Sequence, residues 1–132
     1  SLNEFPKPTL ALVQGPAFGG GVGVVACCDI VVAVESASFC LSEVKLGLVP
    51  ATIAPYVFRA IGARQMRRYA LSAESFSASD AQRIGLVHSV VSDKELSIMA
   101  EKMETQLLTN APMATALTKK LIQKLPLNSY IE

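Results

Sequence analysis

Short apolar segments and helical patterns alternate along the first ninety residues of the chain. The segments from Thr9 to Val13 and from Ile30 to Val34 are rich in β-branched and aliphatic residues, and the segment from Ser38 to Leu41 alternates in polarity, so we expect three strands. Between the first two, the apolar run from Val22 to Cys28 predicts a buried helix, although periodicity alone does not separate it from a strand.

Capping residues, prolines and glycines predict where the helices in the second half of the chain begin and end. Thr52 is a candidate cap for a helix that holds Pro55 in its first turn and ends at Gly62. Ser92 and Glu95 have the spacing of a capping box. Further helices are expected over 63–71, 79–84, 96–107 and from Pro112 onward, with a strand over 86–91. Strands followed by a helical C-terminal portion indicate an α/β fold, and we find no internal repeat in the sequence.

Composition narrows the class of protein. The chain has 132 residues, 51% of them hydrophobic, and a formal charge of +1, which suits one domain with a core. The near-neutral charge argues against general affinity for nucleic acid or an anionic membrane, and the longest apolar run is interrupted by Asp29 before it could span one. Three cysteines, two of them adjacent, suggest no disulfide framework, so we expect a reducing compartment; Ser1 to Glu4 do not resemble a signal peptide.

Three consecutive glycines, Gly19 to Gly21, stand between the first strand and the first helix. Without Cβ atoms, the backbone there can approach a ligand closely. The first N–H groups of the following helix lack internal partners, and with the helix dipole they suit an oxygen that carries or develops negative charge. A turn packed under another element explains the glycines equally well. The spacing matches neither Walker A nor the full dinucleotide fingerprint.

Glu43 is the candidate for proton transfer. It lies between an apolar strand and an apolar loop, where a carboxylate would meet little water and be poised for acid–base work. The alternative is a structural role as a cap or as a salt-bridge partner of Lys45. His88 is expected to be a structural histidine, because no second ligand suggests a metal. The cysteines fit the core, and the arginines at positions 59, 64, 67 and 68 fit a solvated helix face.

Several motifs, in order, resemble the enoyl-CoA hydratase/isomerase (crotonase) family. They extend over nearly the whole chain, which makes the resemblance specific. The matching segments are 7–13, 15–21, 28–30, 39–50, 59–62, 77–81 and 85–87.

The resemblance implies a crotonase-like spiral of ββα turns and chemistry on an acyl-CoA thioester. The thioester oxygen would bind an oxyanion hole to which the middle glycine, Gly20, donates its N–H, and Glu43 would transfer the proton. Coenzyme A would belong to the substrate, so no separate cofactor and no metal are expected. The implied substrate-binding positions are Phe18, Gly19, Gly20, Gly23, Ser42, Leu46 and Ala51. The family also implies a homotrimer or a dimer of trimers, and we expect a cytoplasmic bacterial protein without nucleic-acid or membrane partners.

Two departures from the family pattern affect these expectations. Gly23 occupies the position of the first hydratase glutamate, three residues after the middle glycine, and we expect it to make room for a larger acyl group. The chain also corresponds to a core fragment, with spiral core over 1–91 and the start of a helical region over 92–132. The segment that supplies the other oxyanion donor and the last helices would be missing, so the fragment alone is expected to be inactive.

The loop from Ser42 to Tyr56 resembles the branch of methylglutaconyl-CoA and isohexenylglutaconyl-CoA hydratases. Hydration of a branched 2-enoyl-CoA is therefore the first hypothesis. The alternative is a Δ3,Δ2-enoyl-CoA isomerase, in which Glu43 alone would move one proton. A third hypothesis is an acyl-CoA-binding module without catalysis.

Overall fold

The computed structural model describes residues 2–126, which form two small sheets surrounded by helices. The strands are β1 (Leu10–Val13), β2 (Pro16–Phe18), β3 (Ile30–Val34), β4 (Ser38–Cys40), β5 (Phe76–Ser77) and β6 (Ser89–Val91). The helices are α1 (Gly20–Cys27), α2 (Ala54–Ser72), α3 (Ala78–Arg83), α4 (Leu96–Leu108) and α5 (Pro112–Lys124), with short 3-10 helices η1 (Leu2–Glu4) and η2 (Glu43–Leu46). None of the helices in this part of the chain has the length and apolar character needed to cross a membrane.

Two successive ββα units lie side by side. Strands β1, β3 and β6 form a parallel sheet in that order, while β4 pairs with β2 in parallel and with β5 in antiparallel. The register pairs Leu10 with Ile30 and Phe18 with Cys40, so β1–β2–α1 is followed in space by β3–β4–α2. The two ββα units repeat one structural motif, although the sequence shows no internal repeat. Strand pairing needs only backbone hydrogen bonds and apolar side chains, so similar units can form from different sequences.

The core lies between the sheets and the helices that cover them. Strand β3 is buried from Val31 to Val34. The Phe76 ring lies 4.2 Å from the Tyr69 ring and 5.6 Å from the Phe39 ring, between centroids. These rings join α2, β4 and β5, so they hold the second sheet against the long helix.

The start of α2 differs from prediction, whereas its interruption at Gly62 was expected. Ile53, rather than Thr52, occupies the N-cap position, and no side chain caps the helix; Pro55 lies in the first turn as expected. Gly62, with φ 81° and ψ 167°, is non-helical and ends the first helical segment of α2 at the predicted position, and the second segment, which continues to Ser72, corresponds to the helix expected over 63–71. A glycine takes this conformation at little cost, so α2 consists of two helical segments joined at Gly62.

His88 has the structural role expected for it, although the strand around it is shorter than predicted. Its N–H donates to the Val31 carbonyl oxygen at 2.9 Å, and its Nδ1 accepts the Val31 N–H at 3.0 Å. Leu86 and Val87 are buried in a loop and donate their N–H groups to the Ala81 carbonyl, so only Ser89–Val91 pairs as a strand.

A partly buried ion pair connects α5 to the edge of the first sheet. Lys119 is 9% exposed, and its Nζ lies 2.7 Å from Asp29 Oδ2 and donates to the Lys7 carbonyl at 3.0 Å. Asp29 Oδ2 also accepts the Thr9 N–H at 2.8 Å. Because these contacts satisfy both charges, Asp29 and Lys119 have a structural role.

Candidate active site

The pairing of β2 with β4 brings the glycine turn next to Glu43. Phe18 and Cys40 are partners in the ladder, and the Gly19 N–H donates to the Cys40 carbonyl at 2.9 Å. Ser42 and Glu43 follow β4 after one intervening residue, Leu41, so they lie at the same end of this strand pair as Gly19 and Gly20. Residues more than twenty positions apart are thereby placed in contact.

The glycine turn presents an unused backbone donor. Gly19 has φ 45° and ψ −110°, a conformation that L side chains rarely adopt, and α1 begins directly after it. The Gly23 N–H is bonded to the Gly19 carbonyl, whereas within residues 2–126 the exposed Gly20 N–H has no backbone acceptor. A donor at a helix N-terminus is suited to an oxygen that develops negative charge.

Glu43 holds a buried carboxylate oxygen that nothing satisfies. Its Oε1 is inaccessible to solvent and has no hydrogen-bond partner. The ion pairs found in the described part of the chain join Arg68 to Glu74, Arg83 to Asp80, and Lys119 to Asp29, so the alternative pairing of Glu43 with Lys45 is wrong. An unsatisfied buried acceptor is costly. Its retention is typical of a group whose partner is a substrate.

The other predicted substrate-binding positions differ in how close they lie to this carboxylate and in how exposed they are. Ser42 Oγ and the Glu43 carboxylate both lie within 4 Å of an ideal Cβ built on Gly19. Leu46 is three residues after Glu43 in η2, and side chains with that spacing share a face of a 3-10 helix. Leu46 is 73% exposed and Phe18 is 56% exposed, so their apolar surfaces are open to a ligand. Ala51 lies in an exposed turn before α2.

The expected spare room at Gly23 does not exist. An ideal Cβ on Gly23 would overlap Ile53 Cγ2 and lie 2.8 Å from Ile53 Cβ. The absence of a side chain at this position therefore accommodates a protein side chain rather than a larger acyl group. Sequence reasoning missed Ile53, and a glycine inside an apolar helix was the only signal that some neighbour approaches closely there.

Another cleft in the described residues lies beside α5. It has a volume of about 1050 Å³ and is lined by Asp29, Arg59 and Lys119 among others. Its carboxylate is already paired with Lys119. The cleft therefore offers no free acid next to a free backbone donor, unlike the turn at Gly20.

The adjacent cysteines are poor nucleophiles. Burial raises the pKa of the Cys27 thiol, with the neighbouring Cys28 as the second cause, and burial likewise raises the pKa of Cys28. A raised pKa leaves the thiols protonated near neutral pH, and the thiolate is the reactive form. This agrees with the interpretation of these residues as packing residues.

Comparison with known proteins identifies the family of the chain. The sequence profile of the enoyl-CoA hydratase/isomerase family matches residues 1–129. The chain belongs to the enoyl-CoA hydratase/isomerase family. Enoyl-CoA hydratase AFT6-1 of Alternaria alternata is 42% identical over 125 residues, which are 94% of this chain and 42% of that protein. The chain thus spans less than half the length of this curated relative.

Solved structures of the enoyl-CoA hydratase/isomerase family have the same fold. An enoyl-CoA hydratase from Shewanella pealeana superposes with a TM-score of 0.89 at 50% identity, covering 94% of this chain and 46% of that one. An enoyl-CoA hydratase/isomerase from Marinobacter aquaeolei gives 0.89 at 36% identity, covering 99% and 48%. The predicted crotonase fold is therefore confirmed.

Proposed function

We propose that the whole protein hydrates a branched 2-enoyl-CoA, with Glu43 as its acid–base residue and the Gly20 N–H as a donor to the thioester oxygen. The observation that carries this proposal is the buried, unpartnered Oε1 of Glu43 beside the glycine turn. Family membership supports acyl-CoA chemistry in general. The loop from Ser42 to Tyr56 supports a branched acyl group, because it resembles that hydratase branch.

Hydration needs one proton acceptor that later becomes the donor. Glu43 removes a proton from water as the water oxygen bonds to C3 of the enoyl group, and the electron pair of the double bond moves toward the thioester oxygen. The Gly20 N–H stabilises the resulting enolate oxygen; one such donor is worth about 2.7–4 kcal/mol in the transition state. Glu43 then returns the proton to C2, which restores the carboxylate and the thioester carbonyl.

A Δ3,Δ2-enoyl-CoA isomerase is the second candidate. The contact between Gly23 and Ile53 favours it, because that contact leaves no room for a carboxylate at position 23. Glu43 would remove a proton from C2 of a 3-enoyl-CoA and return it to C4, with the double bond moving to C2–C3. Ultraviolet absorbance separates the two reactions: hydration removes the conjugated enoyl thioester, whereas isomerisation creates it.

The decisive experiment replaces Glu43 by glutamine in the whole protein. Glutamine keeps the size of the side chain but cannot exchange a proton, so turnover should fall by about a hundredfold to ten-thousandfold while acyl-CoA affinity changes little. Glu35→Gln is the matched control, because Glu35 is exposed. If Glu43→Gln keeps near-full turnover, Glu43 is not the acid–base residue. If the unmutated protein binds acyl-CoA but turns over none, the protein is a binding module.

The apolar surface of α5 supports the proposal of a homotrimer or a dimer of trimers. Met113, Leu117 and Leu121 recur every four residues and are 76%, 61% and 60% exposed. Side chains at this spacing share one helix face. An exposed apolar face of this kind is typical of an association surface, which the whole protein would cover.

A further inference from the structure

Ile53 fills the volume that any side chain at position 23 would need. Gly23 is buried, and its ideal Cβ would overlap Ile53 Cγ2. The neighbouring glycines of α1 differ: an ideal Cβ on Gly20 meets nothing within 4 Å, and one on Gly21 meets only Ala17 Cβ at 3.8 Å. Position 23 is therefore restricted to glycine by the packing of α1 against the start of α2.

Helix geometry places this contact beside the proposed oxyanion donor. Residue 23 lies one turn after Gly20, and helical side chains lean toward the N-terminus, over the preceding turn. A group that fills the side-chain volume of residue 23 thus lies close to the turn that contains Gly20. Ile53 is half-buried and packs on the core, and its β-branched side chain has few rotamers, so its position is well defined.

We propose that Ile53 is a specificity-determining residue of the acyl site. This inference rests on the proposed function of the site and deepens it. The Ile53 side chain forms an apolar wall next to the thioester position and excludes a second carboxylate from the adjacent turn of α1. The wall determines which methyl branch fits near the C2 and C3 atoms of the acyl group, and proton transfer depends on Glu43 alone.

The packing part of this inference is tested by stability, which needs no substrate. Gly23→Ala in the whole protein should lower Tm by about 2–8 °C, because the added methyl overpacks against Ile53. The same change in an Ile53→Ala background should cost much less. Ile53→Val is the matched background, because valine retains the Cγ2 methyl, so the full cost should remain there. If Gly23→Ala lowers Tm equally in the unmutated, Ile53→Ala and Ile53→Val proteins, the inferred contact between residue 23 and Ile53 is wrong.

The specificity part is tested with 2-butenoyl-CoA and its 2-methyl and 3-methyl derivatives. Ile53→Ala should raise kcat/KM for the methyl-branched isomer that the unmutated protein uses less, relative to the other two substrates, by about tenfold or more, and Ile53→Val by less. An unchanged ratio in a protein that turns these substrates over would overturn the inference and leave the proposed function standing.

Loss of the proposed function has a different signature. If the unmutated protein turns over none of the three substrates, the proposed function fails. The role of Ile53 can then still be tested by calorimetric measurement of the binding of butanoyl-CoA and its methyl derivatives. Widening of that binding preference by Ile53→Ala would support the wall, and an unchanged preference would contradict it.

Discussion

Gly19 and Glu43 are packed so closely that only glycine fits at position 19. An ideal Cβ there would lie 2.9 Å from Glu43 Oε2, and Gly19 also has φ 45°. Both the backbone conformation and the space thus exclude a side chain. The glycine turn and the Glu43 carboxylate, which we propose as backbone donor and acid–base residue, are therefore packed against each other and constrain each other's position.

Gly19→Ala should damage stability and turnover together. Backbone strain should cost about 1–3 kcal/mol of unfolding free energy, and the methyl should displace the Glu43 carboxylate. Gly47→Ala is the control, because Gly47 has φ 70° but its ideal Cβ meets nothing within 4 Å. Denaturant unfolding and kcat measurements should show stability loss in both variants but a large turnover loss only in Gly19→Ala. Equal turnover in the two would contradict the contact.

Gly20→Pro should remove the proposed donor with little effect on the fold. Gly20 is the first residue of α1, where proline is tolerated, and its N–H has no backbone acceptor in the described part of the chain. Turnover should fall by about a hundredfold to a thousandfold. Gly20→Ala keeps the N–H, so the proline variant should be the weaker enzyme at similar Tm. If the two variants have the same kcat, the Gly20 N–H does not contribute.

Lys119→Met should destabilise the protein by about 1.5–3 kcal/mol, because it leaves the partly buried Asp29 without its charged partner. The structure buries this lysine against Asp29 and the Lys7 carbonyl. Lys120→Met, on the adjacent exposed residue, is the control and should change the free energy of unfolding little. Chemical denaturation of the three proteins measures the difference, and equal stability of all three would show that the pair contributes nothing.

The start of α4 should be sensitive to acid. The Ser92 hydroxyl, and then the Ser92 N–H, lower the pKa of the Glu95 carboxyl below its ordinary value of 4.5. Because the pKa of Glu95 is lower in the folded state, its carboxylate stabilises the fold at pH values above the unfolded-state pKa. This stabilisation is lost as the pH falls through the folded-state pKa. The stability difference between the wild type and Ser92→Ala should therefore shrink between about pH 7 and about pH 3. The difference caused by Ser97→Ala, on the exposed face of α4, should not depend on pH.

The isolated 132-residue chain should self-associate through the apolar face of α5. Sedimentation velocity should detect species larger than the monomer, and Leu117→Lys with Leu121→Lys should reduce them. Lys120→Glu is a control on the same helix. A monomer with a cooperative unfolding transition would argue against an association surface here.

The sequence alone determined the order of the longer strands and the helices, and the main chemical groups. The glycine triplet, the apolar segments of β1 and β3, and Glu43 between apolar neighbours were all recognisable, because each depends on local periodicity or on spaced motifs. Strand β2 was missed because Pro16–Phe18 is too short for a pattern. Its pairing with β4 depends on a register between distant residues.

The tertiary structure decided which groups meet. Local sequence could not distinguish a free Glu43 from one paired with Lys45, and it suggested spare room at Gly23 where Ile53 stands. Lys119 and Asp29 are ninety positions apart in the chain, so their pairing could not be inferred from either neighbourhood. Packing interactions depend on the relative placement of complete elements. Local patterns specify those elements, but only the fold specifies their contacts.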